Sequence, residues 1–231
     1  MKPFQFKQFN IDQSKEVFRV GTDGVLLGAS STVKHAATIL EVGTGTGLVA
    51  LMIAQRNMAA KIQAIDIDKK AVDLAAKNFK NSPFNNRLHV FLQDYRNFSA
   101  EEKFDLIISN PPYFEQNESV KDSVARQQIE LDFPILIEKS AELLAEEGLL
   151  SVIIPFEAGI LFEEICSKSG FYLIRKIQIY GIKGGNPKRL LLEFGLQRKT
   201  VLISNFVIEQ SPRKYSEEYL KLTEEFHHFS K

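Results

Sequence analysis

The chain has 231 residues with 29 basic and 29 acidic side chains, enough for one large domain with its own core, and its net charge by itself points to no nucleic-acid partner. A single cysteine, Cys166, excludes an internal disulfide framework and a cysteine-built metal site. The amino terminus has no apolar signal core and no apolar run reaches the ~18 residues of a membrane span, so a cytosolic protein is expected.

In chain order, residues 4 to 20 alternate around Phe4, Phe6, Phe9, Val17, Phe18 and Val20, which predicts a short hairpin laid against the main domain. The stretch Gly21-Thr22-Asp23-Gly24-Val25-Leu26-Leu27-Gly28 reads as a helix that Thr22 or Asp23 can cap, with glycines that let the backbone approach another group closely.

Residues 38–42 form a predicted strand, Gly43-Thr44-Gly45-Thr46-Gly47 a glycine-rich turn, and Leu48 to Ala54 the opening of a helix. The next strand, Lys61 to Ile65, ends in Asp66. Glycines at a strand-to-helix turn supply positive φ and close approach to a nucleotide-like ligand, and an acid about 20 residues on can take both ribose hydroxyls. The glycine spacing lacks the third glycine of a dinucleotide fingerprint, and no Gly-Lys-Ser/Thr follows. With Glu41 just before the turn, the pattern suits an adenosine with a cationic tail, which is S-adenosylmethionine. An amphipathic helix follows over residues 68–79, with Ala71, Leu74, Ala75 and Asn78 along one side. The third strand, residues 87–92, ends at Gln93-Asp94-Tyr95, where Asp94 can accept adenine amino hydrogens.

Phe104-Asp-Leu-Ile-Ile-Ser109 reads as a buried strand stopped by Asn110-Pro111-Pro112-Tyr113-Phe114. The residue before a proline is held extended, so the Asn110 side chain and nearby carbonyls are fixed at the carboxyl end of a strand. That is where open α/β sheets place ligands. A planar amine meeting this turn finds two acceptors, the Asn110 side-chain oxygen and the Pro111 carbonyl, with the Tyr113 ring to stack on. Acceptors holding the amine hydrogens draw its lone pair out of conjugation.

Residues 115–131, with Arg126, Gln127 and Gln128, read as a loop over the site or a solvated surface segment. A helix over 134–144, a strand over 149–154, a helix over 157–168 and two strands over 171–180 and 189–196 follow, the last pair read as an antiparallel edge of the sheet. From 168 to 199, Lys168, Arg175, Lys176, Lys183, Lys188, Arg189, Arg198 and Lys199 face Glu193 as the sole acid, a local excess expected for phosphate contact. Lysines on edge strands also serve simply to block aggregation. A strand over 201–208 and a terminal amphipathic helix end the chain. His35, His89, His227 and His228 have no metal-ligand spacing, so no metal is expected, and the last two read as solvent-facing. The expected organisation is one domain: an extension over 1–30, a core over 31–200 and a final strand and helix over 201–231.

On these residues the chain resembles the class I, Rossmann-like S-adenosylmethionine-dependent methyltransferases that modify exocyclic nitrogens. More narrowly, it resembles the bacterial enzymes that methylate N6 of the adenine beside the anticodon of a valine tRNA. The likeness runs through Phe4 to Phe9, Val20 to Gly28, Glu41 to Gly47, Asn110 to Phe114, Lys183 to Phe194 and Tyr215 to Phe226. It implies a seven-stranded, mostly parallel sheet with one antiparallel edge strand, helices on both faces and an N-terminal hairpin. It implies that Gly43, Thr44, Gly45 and Gly47 wrap the cofactor's methionine end with Glu41 nearby, and that Thr22 and Asp23 close over that end. Asp66 with Ile67 would take the ribose, and Asp94 with Tyr95 the adenine. Asn110, Pro111, Pro112 and Tyr113 would hold the target amine, while Phe114, Lys183, Lys188 and Arg189 would contact a tRNA anticodon stem-loop. A monomer is expected. The Asn-Pro-Pro-Tyr turn marks nitrogen methylation rather than adenine itself, so guanine N2 of ribosomal RNA and a release-factor glutamine are rival targets, and an inactive RNA-binding protein is a further alternative.

Overall fold

The computed structural model describes residues 1–17, 19–111 and 133–228. A two-stranded hairpin comes first, β1 (Phe4–Gln5) paired antiparallel with β2 (Asn10–Ile11). The body then runs α1 (Thr22–Ser30), β3 (Thr38–Val42), α2 (Leu48–Arg56), β4 (Lys61–Asp66), α3 (Lys69–Lys80), β5 (Leu88–Leu92) and β6 (Phe104–Ser109). After α4 (133–143) come β7 (Leu144–Pro155), α5 (Gly159–Lys168), β8 (Tyr172–Ile182), β9 (Pro187–Gly195), β10 (Leu202–Ser211), β11 (Lys214–Tyr215) and α6 (Glu217–Thr223).

The main sheet holds nine strands in the order β11-β10-β8-β9-β7-β6-β3-β4-β5. Side chains alternate between its two faces because the strand period is two. Ile39, Leu106, Ile108 and Ile153 face α1, α2 and α3, while Leu40, Ile107, Leu150 and Val152 face α4 and α5. Strands buried on both faces carry the continuous apolar runs seen in β6 and β7.

The mostly parallel sheet agrees with the expected architecture, and two details differ. The antiparallel strand β9 is not at the edge: it lies between β7 and β8. Beyond β8 the sheet continues through β10, parallel to β8, and β11. The tail's alternating residues bond to β8's open side, which would otherwise leave a long row of unpaired backbone groups.

The N-terminal segment is held by the C-terminal one. Lys7 N–H donates to the Phe226 carbonyl at 2.8 Å, and His227 stacks on Phe6 with ring centroids 5.2 Å apart. His227 is therefore half-buried rather than solvent-facing, and burial lowers its pKa.

Helix α1 corrects a second expectation. Its N-cap is Gly21, with no side-chain cap, and Thr22 and Asp23 lie inside the first turn. Its glycines serve packing against α2: a Cβ at Gly28 would stand 2.8 Å from Met52 Cβ, and one at Gly24 3.0 Å from Leu48 Cδ2. Cys166 is buried, as its place in a helical apolar pattern predicts.

Candidate active site

The chain order β3, β4, β5 runs outward on one side of the sheet, and β6 returns to pair with β3 on the other. That reversal is a topological switch point, where open sheets form a crevice at the strands' carboxyl ends. The register places Val42 opposite Ser109, so the Gly43 turn and Asn110 leave neighbouring strands side by side. Ser109 Oγ donates to the Val42 carbonyl at 2.9 Å, tying the two turns together.

Gly43, Gly45 and Gly47 all have positive φ, at 75°, 56° and 80°, a conformation that favours glycine. Space around them differs. A Cβ on Gly47 would meet Phe79 Cε1 at 2.5 Å, whereas one on Gly43 or Gly45 would find nothing within 4 Å. The outer side of the turn is thus an open cradle. Its amides point inward: Gly43 and Thr44 N–H donate to the Ile65 carbonyl, Gly47 N–H to the Thr44 carbonyl, and Gly45 N–H to Asp66 Oδ2 at 2.9 Å. A phosphate-binding loop turns such groups toward the ligand. This one does not, in keeping with a ligand that lacks phosphate.

Glu41 lies beneath the turn, 3% exposed. Its Oε2 accepts from Thr44 Oγ1 at 2.7 Å and from Ala50 N–H at 3.2 Å, so it supplies the acceptor for α2's first turn that Gly47 cannot. Burial pushes its pKa up to about 8, against the lowering effect of those two hydrogen bonds. Asp66 accepts one backbone N–H on each oxygen, from Gly45 and from Asp68 at 2.9 Å. A carboxylate has about four acceptor positions, so it retains capacity for two hydroxyls. Ile67 beside it is 65% exposed, an apolar surface at the rim suited to a flat ring.

Asp94 is engaged differently from the sequence expectation. Its carboxylate takes the Arg96 guanidinium at 2.6 to 3.0 Å and the Arg96 N–H at 2.9 Å; the Arg96 side-chain bonds are the main cause of its lowered pKa. An adenine amine must share that carboxylate with Arg96. Tyr95 points away: its ring is buried beside Phe98 and its hydroxyl bonds Ser140 Oγ at 3.0 Å. The short helical turn Tyr95–Asn97 that follows Asp94 carries this side chain into the core.

At the strand-ending turn, Asn110 is half-buried and Pro111 buried. The Asn110 Oδ1 atom is buried with no hydrogen-bond partner among the described residues. Buried polar oxygens are nearly always paired; Gln55 Oε1 shares this state, but only Asn110 stands at the switch point. Pro112, Tyr113, Phe114 and the 115–131 segment, with Arg126, Gln127 and Gln128, lie outside the described residues.

The basic stretch does not form one patch. Arg175 pairs with buried Glu193 at 2.9 Å, Lys176 with Glu163 at 2.5 Å and Lys199 with Glu147 at 2.6 Å. Arg189 pairs with Asp23 at 2.9 Å. Lys168 and Arg198 sit where α5 and β9 end, at the opposite edge of the sheet. Lys183 and Lys188 flank the β8–β9 turn, on the crevice edge, since β8 runs parallel to β10 and β9 starts beside Pro155 at the end of β7. Glu193 lies within the stretch itself, but Glu163, Glu147 and Asp23 come from other parts of the chain, so a local count could not find those three.

The sequence reading placed Asn78 on the inner side of α3 but gave it no role. Asn78 donates to the Thr46 carbonyl at 2.8 Å and exchanges hydrogen bonds with Asp12, joining the glycine turn, α3 and the N-terminal segment. Its signal was a polar amide within the apolar side of α3.

Residues 14–160 match the model of the methyltransferase small domain family. The tRNA1(Val) (adenine(37)-N6)-methyltransferase of Flavobacteriaceae bacterium (strain 3519-10) is 57% identical over 99% of this chain and 100% of its own length. The chain belongs to this methyltransferase family. A protein of the same name from Bacteroides fragilis (strain YCH46) is 41% identical over 97% of each chain. Among solved structures, a predicted O-methyltransferase from Agrobacterium tumefaciens superimposes with a TM-score of 0.71 at 18% identity, over 88% of this chain and 96% of that one. The N-methyltransferase NodS of Bradyrhizobium japonicum, in complex with S-adenosyl-L-homocysteine, gives 0.53 at 19% identity over 74% and 82%. These structural likenesses establish the methyltransferase fold alone. No helix among the described residues is long and apolar enough to cross a membrane.

Proposed function

We propose that this methyltransferase transfers a methyl group from S-adenosylmethionine to N6 of the adenine beside the anticodon of a valine tRNA. The observation that carries the chemistry is the buried Asn110 Oδ1 at the switch point, unpartnered among the described residues. The activity named for the relatives at 57% and 41% identity supports the substrate.

The open outer side of the Gly43 and Gly45 turn holds the cofactor's methionine end, with Thr22 and Asp23 at the adjoining helix start. Asp66 takes the ribose hydroxyls, Ile67 packs against the adenine and Asp94 shares its carboxylate with the adenine amine. When bound, the cofactor supplies an electrophilic sulfonium methyl.

Asn110 Oδ1 and the Pro111 carbonyl accept the two amine hydrogens of the target base. Those bonds draw the nitrogen lone pair out of the ring, toward the incoming methyl. Tyr113 stacks on the base. A base taken from a single-stranded loop costs less to unstack than one drawn from a duplex. Much of the acceleration comes from position, because Asn110 is fixed by the strand before it and the prolines after it. Lys183 and Lys188 contact backbone phosphates.

The test is methyl transfer from labelled S-adenosylmethionine to total bacterial tRNA, followed by digestion and mass identification of the nucleosides. N6-methyladenosine mapped to one valine tRNA is the expected product. Label appearing in ribosomal RNA or a release factor, with none in tRNA, would overturn the substrate.

A further inference from the structure

A second cavity, of about 300 Å³, opens where the two chain ends meet α1, with Phe4, Val20, Thr22, Tyr215, His227 and His228 on its walls. We propose that it receives an unstacked nucleobase of the RNA, a neighbour of the methylated adenine; this rests on the tRNA reading above.

The wall chemistry selects the ligand. Most of the lining is aromatic, since Tyr219 joins Phe4, Tyr215 and the two histidines, with Val20 and Val25 the aliphatic contributors. Tyr215 is 44% exposed and its ring stands on Tyr219, with centroids 4.5 Å apart and planes at 25°. A partly exposed ring backed by a second ring offers a surface for stacking. Single-stranded RNA is read mainly by such platforms, which accept any base because every base has a flat face. Among the described residues, no acidic side chain lines the cavity. Arg19 precedes Val20, and Arg213 and Lys214 precede Tyr215, all three exposed, which places cations where a sugar-phosphate backbone would enter.

Position makes the occupant a neighbour of the target. Thr22 lines the cavity, and Asp23 next to it pairs with Arg189, which is registered against Pro155 at the crevice edge. On the other wall, Tyr215 is registered against Glu209, whose carbonyl accepts from Lys183 N–H at 2.9 Å. The cavity therefore adjoins both the start of α1 and the Lys183 turn.

The experiment measures KM and kcat on transcribed valine tRNA, intact or with an abasic residue placed in turn on either side of the target adenine. For the wild type, one abasic position should raise KM by about 5- to 100-fold, the range expected for losing one stacked base. Tyr215→Ala should raise KM on intact tRNA similarly, with little further rise on the abasic RNA, and Tyr215→Phe should restore it. Cofactor affinity, read by calorimetry, should hold throughout. His228→Ala, at an exposed position, gives the same comparison if Tyr215→Ala misfolds. Wild-type KM values for these variants, or losses that simply add to the abasic loss, would overturn the cavity's role and leave the tRNA activity standing. A wild type that methylates no tRNA would overturn the proposed function, and this inference with it.

Discussion

Arg189 Nε lies 2.9 Å from Asp23 Oδ2, with both side chains about four-fifths buried, at 17% and 21% exposure. The pair joins the start of β9 to the first turn of α1, two parts of the chain to which the family resemblance gives separate roles, RNA contact and cofactor binding. Asp23→Ala and Arg189→Ala should each lower the melting temperature, and a double-mutant cycle should return a coupling of about 1 kcal/mol. Additive losses would show that the pair contributes nothing.

Asn110→Ala should separate stability from activity. It removes a buried oxygen that has no partner among the described residues, and leaving such a group unpaired costs about 1–3 kcal/mol. The variant should therefore melt no lower than the wild type while methyl transfer falls by about 100-fold or more. Cofactor affinity, measured by calorimetry, should change far less than kcat.

Glu41 predicts a pH dependence of stability. Its pKa is about 8 in the folded chain against an ordinary value of 4.5. Across that window the folded chain holds a proton that the unfolded chain has released, so its contribution falls as pH rises toward 8. Glu41→Gln has no such proton. Its melting temperature should fall less than the wild type's between about pH 5 and about pH 9, and parallel curves would contradict the raised pKa.

Gly45→Ala tests the cradle. Positive φ at this position costs an alanine about 1 kcal/mol. The added methyl meets no protein atom within 4 Å and stands in the volume assigned to the cofactor. Calorimetry should show S-adenosylmethionine binding weakened by about tenfold or more, with only a small change in melting temperature.

The basic residues should divide by their partners. Replacing Lys183 and Lys188 together should flatten the salt dependence of tRNA binding, by about 0.7 in slope for each phosphate left unneutralised, without unfolding the protein. Arg175→Ala should instead destabilise, by at most about 3–5 kcal/mol, because buried Glu193 loses its paired cation and keeps only its two hydrogen bonds from Thr32. Its salt slope should match the wild type's.

What could be read from the sequence follows a physical division. Gly43 to Gly47 had to be a tight turn because the glycine spacing permits little else, and Asn110 had to end a strand because the prolines after it cannot continue one. Those are constraints within a few residues, and the structure places both motifs at adjacent strand ends. The readings of Asp94, Tyr95 and Arg189 depended on where side chains go after folding. Asp94 is taken up by Arg96, two residues on, and Tyr95 turns inward to Ser140, 45 residues away.

The sequence by itself determined the alternation of strands and helices, the cofactor-type turn, the strand-ending acceptor and the resemblance that unites them, because periodicity and backbone restriction are local properties. Only the tertiary structure decided that β9 lies inside the sheet, that the tail extends it, and that four of the eight basic residues over 168–199 are paired with acids. It also brought the two chain ends together around one cavity. These outcomes rest on contacts between residues as far apart as Lys7 and Phe226, and no local pattern encodes which distant partner a charge or a strand edge will meet.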